Sequence, residues 1–229
     1  AGERALARLG ARQIATCQAP VLFEAPAATH LIGSFVAAAS GGSLYRKTSF
    51  LVDALGKQVF ARGVNIDERP HLRQGLASSP FDEEGVATRT RPVVRKGVLE
   101  GYFLGSYSAR KLGMQSTGSA GGNHNLVVHP TEPDPGADFP AMLRKLGHGL
   151  LVTELLGHGV NLVTGDYSRG AAGYWVENGE IAYPVEEITV AGNLGDMLRG
   201  IVAVGGDAVV RGSHRCGSIL VDNMTIAGN

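Results

Sequence analysis

The stretch TGDYSRGAAGYWVENGEI, residues 164–181, decides how the last third of the chain folds. Its Asn178-Gly179 dipeptide lies between two runs of β-favouring residues. That pair tolerates the positive φ required at both central positions of a two-residue hairpin loop, so it predicts a tight antiparallel turn. Tyr174 and Trp175 precede the turn as neighbours on a strand and therefore face opposite sides. Gly170 and Gly173 are expected to allow close approach of another backbone. Ser168 stands between Tyr167 and Arg169 with no base placed beside it by sequence, so a nucleophilic role is disfavoured.

Outward from this hairpin the chain alternates turn signals with short apolar runs. A short helix is expected within ERALARLGARQI (3–14), a strand in APVLFEAP (19–26), and a helix from Ala28 to about Ala39. Gly41-Gly42 breaks that helix, and a second segment ends near Gly56. Lys96-Gly97, flanked by Val93-Val94 and Val98-Leu99, signals a second hairpin. SYSARKLGM (106–114) reads as one or two helical turns, and QSTGSAGGNHN runs as a Gly/Ser loop into the strand LVVH. A Pro/Asp-rich surface loop is expected over 130–140. Asp138 or Phe139 opens a helix expected to run through 139–159. Strands are expected at 160–168, 171–185 and 186–192, then a helix over 193–205 begun by Asn193, and two strands within 215–228. The fold class is α+β, predominantly antiparallel β-sheet with a few packed helices, as one domain over 1–229.

Lys+Arg and Asp+Glu are equal at 21 each, so no basic field favours nucleic acid or an anionic membrane. No apolar run is long enough to span a bilayer. Two distant cysteines without CxxC spacing fit a reducing cytoplasm better than a stapled secreted domain. The 33 glycines, about twice the ordinary share, are dispersed among apolar residues and point to turns and close packing. The opening residues read as a helix entered mid-protein, so the chain is expected to be a C-terminal portion.

No histidine is followed by Glu, so HExxH, with two imidazoles and a base on one helix, is absent. His148 and His158 each sit in Gly-His-Gly and read as exposed. His124 and His129 are placed on opposite faces of a presumed strand, so one of them could line a site. Neither G-x-S-x-G nor a phosphate-binding P-loop is present. Cys216, beside His214 and Arg215, is either a reactive thiol, a metal ligand or a buried packing residue, the last being favoured.

Long ordered strings carry more information than these motifs. VTELLGHGVNLVTGDYSRGAAGYWVENGEIAYPVEEITVAGNL, DMLRGIVAVGGD and RCGSILVDNMTIAG resemble the C-terminal region of the TldD/PmbA family, also called modulators of DNA gyrase. GGSLYRKTSFLVDALGKQV, HLRQGLASSPFDEEGV and SYSARKLGMQSTGSAGGNHN extend the resemblance over essentially the whole chain, within the PmbA (TldE) branch. The resemblance implies a cytoplasmic subunit of a TldD–TldE-type zinc metalloprotease. Such an assembly acts on small or unfolded peptides, in peptide maturation and antitoxin turnover. It also implies a family N-terminal domain outside this chain and a TldD-type catalytic partner that carries the zinc on HExxxH. Matched through YRKTS, that motif falls on 32–37, where Ile32, Gly33 and Ala37 replace the two imidazoles and the carboxylate. Cys216 falls on the third ligand position, so no metal is expected in this chain. His124, Asp166, Arg169 and Glu177 are the candidate contacts to peptide or partner, Asp166 and Arg169 being the pair to test. The alternatives are a non-catalytic regulatory protein, homodimeric and gyrase-modulator-like, or, least favoured, an autonomous hydrolase using His124 or Cys216.

Overall fold

The computed structural model describes residues 2–131 and 137–228, apart from the Arg4 side chain. Part of the Pro/Asp-rich loop expected at 130–140 thus lies outside the described residues. Six helices are described: α1 (Gly2–Leu6), α2 (Ala25–Ala38), α3 (Gly41–Tyr45), α4 (Ser106–Lys111), α5 (Phe139–Leu146) and α6 (Leu194–Arg199). The strands are β1 (Cys17–Phe23), β2 (Ile66–Glu68), β3 (Arg91–Arg95), β4 (Val98–Leu99), β5 (Leu126–Val128), β6 (Gly149–Leu156), β7 (Asp166–Glu177), β8 (Glu180–Asn193), β9 (Ile201–Val204), β10 (Val209–Arg211), β11 (His214–Cys216) and β12 (Ile219–Ala227).

Two sheets result. In the first, the order β1-β6-β7-β8-β12 closes on itself because β12 also pairs with β1, giving a barrel-like ring with β9 appended to β12. The second is open, in the order β10-β11-β5-β2-β3-β4. Only β1–β6 and β11–β5 are parallel, so the α+β, mainly antiparallel expectation holds. One continuous apolar core joins both sheets through α2, whose Leu31, Ile32 and Phe35 are fully buried. Phe35 meets Phe60 edge to face at 4.9 Å.

Both expected hairpins form. Asn178 and Gly179 have φ of 53° and 77°, Lys96 and Gly97 of 49° and 78°, the double left-handed pair of a type I′ turn. Trp175 is buried in the main core, while Tyr174, half-buried, packs on the opposite side of β7 against a second cluster that includes Leu151. At Gly173 a Cβ would overlap the Leu151 carbonyl oxygen, so the expected close approach is real. At Gly170 a Cβ would press on the Leu156 side chain at 3.3 Å.

Four expectations are corrected. The helix expected over 139–159 ends at Leu146, because Gly147 takes φ 64° and caps it, and Leu150–Val152 form the buried centre of β6. A buried apolar run has no period that separates helix from strand, and here the edges offered by β1 and β7 decide. Residues 161–165 turn instead of extending: Asn161 Oδ1 accepts from Val163 N at 2.9 Å, and the strand starts at Asp166. Residues 186–192 are no separate strand but the second half of β8, which bends where Glu187 has φ 53°. Asn193 does cap a helix, its side chain accepting from Gly195 N at 3.0 Å, but that helix stops at Arg199 and 201–204 is β9. The short helix expected within 3–14 is α1, Gly2–Leu6. Among the described residues no helix is long and apolar enough to cross a membrane.

Candidate functional site

The α2 sequence is apolar on nearly all sides, yet it leaves one stripe uncovered. His30, Gly33, Ser34 and Ala37 recur at i, i+3, i+4 and i+7, the spacing of a single helical face, and none of the four is buried. That stripe forms one wall of a groove of about 490 Å³. Loop residues His158, Val160 and Leu162 line it opposite, and Arg169 of β7 and His214 of β11 reach in from the two sheets. Strand alternation explains these positions. Tyr167 and Arg169 share one face of β7, whereas Asp166 and Ser168 point outward and are exposed. Gly33 keeps the wall thin: a Cβ there would touch His214 Cε1 at 3.8 Å.

The groove's ionisable groups are all cationic or neutral bases; no Asp or Glu lines it. His30 is held below its ordinary pKa first by burial and then by Arg169, and His214 is lowered by burial alone. Tyr167, behind Arg169, is pushed up to about 12 by burial, an effect the guanidinium opposes. Arg169 Nε and His214 Nε2, both on groove-lining residues, are buried with no well-aligned hydrogen-bond partner among the described residues, and behind them the Tyr167 hydroxyl interacts only with the Arg169 side chain. Unsatisfied buried donors are uncommon and costly, so their convergence singles this groove out. A larger cleft of about 600 Å³ lies between the N-terminal segment and β6–β8, walled by Leu151, Tyr174, Tyr183 and Pro184. It is mostly apolar and lacks such a convergence.

The four candidates named from sequence lie apart. Arg169 is in the groove. Asp166 does not pair with it: its carboxylate accepts from Thr164 Oγ1 at 2.5 Å, on the other face of β7. Glu177 sits exposed at the hairpin end, opposite Glu180, roughly 26 Å along the strand from Arg169 at about 3.3 Å per residue. His124 is buried in the loop that leads into β5, its backbone N and Nδ1 donating to Glu68 Oε1 at 2.9 and 3.2 Å. Arg91 Nε donates to the other Glu68 oxygen at 2.7 Å, which makes a sealed ion cluster. His129 pairs separately with Asp67 at 2.8 Å, so the two histidines do diverge as expected. His148 and His158 are exposed, as read. His30 and His214 are the groove residues that sequence reading passed over; the i, i+3, i+4, i+7 stripe on α2 was the signal for the first.

The residues present do not fit the zinc centre associated with the resemblance. Ile32 is fully buried in the core, and Gly33 and Ala37 bring no donor to the groove face. Cys216 is fully buried, its Sγ donating to Gly217 O at 3.2 Å. Burial, aided by Asp207, drives its thiol far above the ordinary range, so it stays protonated where a ligand must be a thiolate. Among the described residues no group of three or more His, Cys, Asp or Glu is placed to hold a metal.

Family comparison agrees with this architecture. Residues 16–228 match the model of the PmbA/TldA metallopeptidase C-terminal domain, and the chain belongs to that family. It is 55% identical over 225 residues to metalloprotease PmbA of Escherichia coli O157:H7, covering 98% of this chain and 49% of that protein. Identity to the PmbA homolog of Haemophilus influenzae is 54%, over 99% of this chain and 50% of the relative. A crystal structure of a Bacteroides thetaiotaomicron protein assigned as a modulator of DNA gyrase superposes with a TM-score of 0.93 at 31% identity, covering all of this chain and 51% of that one. The chain spans about half the length of these relatives.

Proposed function

We propose that this chain belongs to the zinc-free, PmbA/TldE-type subunit of a two-chain cytoplasmic metallopeptidase, whose TldD-type partner holds the zinc and cleaves small or unfolded peptides. The observation that carries the reading is the groove face of α2. The helix persists where the catalytic branch keeps its HExxxH, but Gly33 and Ala37 give the groove neither ligand nor base, and Ile32 faces the core. Cys216, a buried and protonated thiol, does not replace them.

What remains suits holding a chain. The first sheet is a closed ring with β9 hung on β12, whereas the second is open and ends at β10 and β4. An extended peptide can add to such an edge through main-chain hydrogen bonds, which demand an unfolded substrate and little sequence selectivity. β10 is the better edge, since its partner β11 carries His214 into the groove and Val210 is exposed.

The test uses the full-length protein alone, with a TldD-type partner, and with that partner altered in HExxxH. An unfolded peptide is the substrate, and zinc is measured by elemental analysis. Expected are co-purification, cleavage only with the intact partner, and zinc in the partner alone. Cleavage by the lone protein, or stoichiometric zinc in it, overturns the reading. Failure to associate with any TldD-type chain favours a regulatory homodimer.

A further inference from the structure

The groove holds a guanidinium whose charge nothing in the fold balances. Among the described residues Arg169 forms no ion pair; the Tyr167 hydroxyl interacts with its side chain but is neutral, and Nε is buried without a well-aligned acceptor. A partly buried, unpaired cation costs stability unless something outside the chain completes it. His214 presents a second buried nitrogen, Nε2, equally without a partner. His30 stands on the α2 wall and His158 on the loop wall, while no lining residue is acidic. The remaining lining is small or apolar: Gly33, Ala37, Val160 and Leu162.

Two nitrogen donors fixed by different strands, in a partly dry groove, suit a small planar anion. Guanidinium donors match a carboxylate's two oxygens and form charge-assisted hydrogen bonds about twice as strong as neutral ones. A volume of about 490 Å³ also leaves room for apolar substituents beside the anion, well within the range of ligand pockets. We propose that this groove is a peptide-carboxylate site, in which Arg169 and His214 hold the carboxylate and Gly33 leaves space for it against α2. The peptide part rests on the reading given under Proposed function; the carboxylate part rests on the groove alone. In that assembly the site anchors a peptide by its negative end while the partner does the chemistry.

The test is binding to the full-length protein without its partner, by calorimetry, using three probes: Ac-Ala-Ala-Ala with a free C-terminus, its C-terminal amide, and Ac-Ala-Glu-Ala-amide. At least one carboxylate-bearing peptide should bind ten-fold or more tighter than the neutral amide. Which one does so separates a terminal from a side-chain carboxylate. Arg169→Gln should reduce that ratio below two. Gly33→Glu, which keeps Arg169 and supplies the groove with its own carboxylate, should abolish binding while circular dichroism shows an unchanged fold. The His30 imidazole, followed by NMR, should titrate at higher pH once the acidic peptide is bound. Equal binding of acid and amide, or a ratio that survives Arg169→Gln, overturns the proposal. So does inorganic phosphate binding more tightly than either peptide. Because no partner is present, these outcomes are independent of whether the two-chain assembly forms.

Discussion

Truncating Glu68 to Ala tests whether the His124 cluster is a structural device. Glu68 and Arg91 expose only 2% and 10% of their side chains, and the carboxylate accepts from Arg91 Nε, His124 N and His124 Nδ1. An ionised carboxylate can only accept, so Nδ1 carries the imidazole proton here. Arg91 also donates to the Tyr102 carbonyl at 2.8 Å, which holds the guanidinium in its largely buried place when Glu68 is gone. Removing one partner of a buried pair costs about 3–5 kcal/mol because the other charge stays desolvated. The assay is urea unfolding followed by the fluorescence of Trp175, the chain's single and buried tryptophan. Glu68→Ala should lower the midpoint by that energy divided by an unchanged m-value. The double variant Glu68→Ala/Arg91→Met, which removes both charges, should recover more than half of the loss. A single-variant loss below about 1 kcal/mol, or a double variant less stable than the single, would refute the argument that desolvation dominates.

Particular contacts set the further outcomes. Gly33→Ala should raise stability by roughly 0.5–1 kcal/mol in the same unfolding assay, since the new methyl meets only His214 Cε1 at 3.8 Å and a mid-helix glycine is removed. Gly173→Ala should cost more than about 2 kcal/mol and weaken hydrogen-exchange protection along β6, because its Cβ would overlap the Leu151 carbonyl. Native Cys216 keeps its proton at pH values where an unfolded thiol, with an ordinary pKa near 8.5, has lost it. Unfolding therefore releases a proton, and stability should fall above about pH 8.5 by up to about 1.4 kcal/mol per pH unit. Tyr167 should add a similar slope between about pH 10 and about 12. Cys216→Ala should flatten the decline between pH 8.5 and 10 in urea midpoints; an unchanged slope would show that the thiol does not carry it.

Features legible in the amino-acid order are those whose cause is local. Asn178-Gly179 and Lys96-Gly97 turn the chain because those residues accept positive φ with little strain, whatever surrounds them. Asn193 caps α6 through a bond to an amide two residues away. The family was legible too, since long ordered strings carry it. Where cause is distant, reading along the chain failed. Leu150–Val152 are as apolar as a helix core, and only the edges of β1 and β7 make them a strand. Asp166 and Arg169 look like a pair in sequence, yet the two-residue period of β7 sends them to opposite faces. Conversely, nothing in the order of residues brings His30, Arg169 and His214 together; the groove exists because the closed sheet, the open sheet and α2 meet there. Local backbone preference was thus settled by the residues themselves. The balance of charge inside the groove was settled by packing, because burial and the absence of a facing carboxylate are properties of the assembled fold.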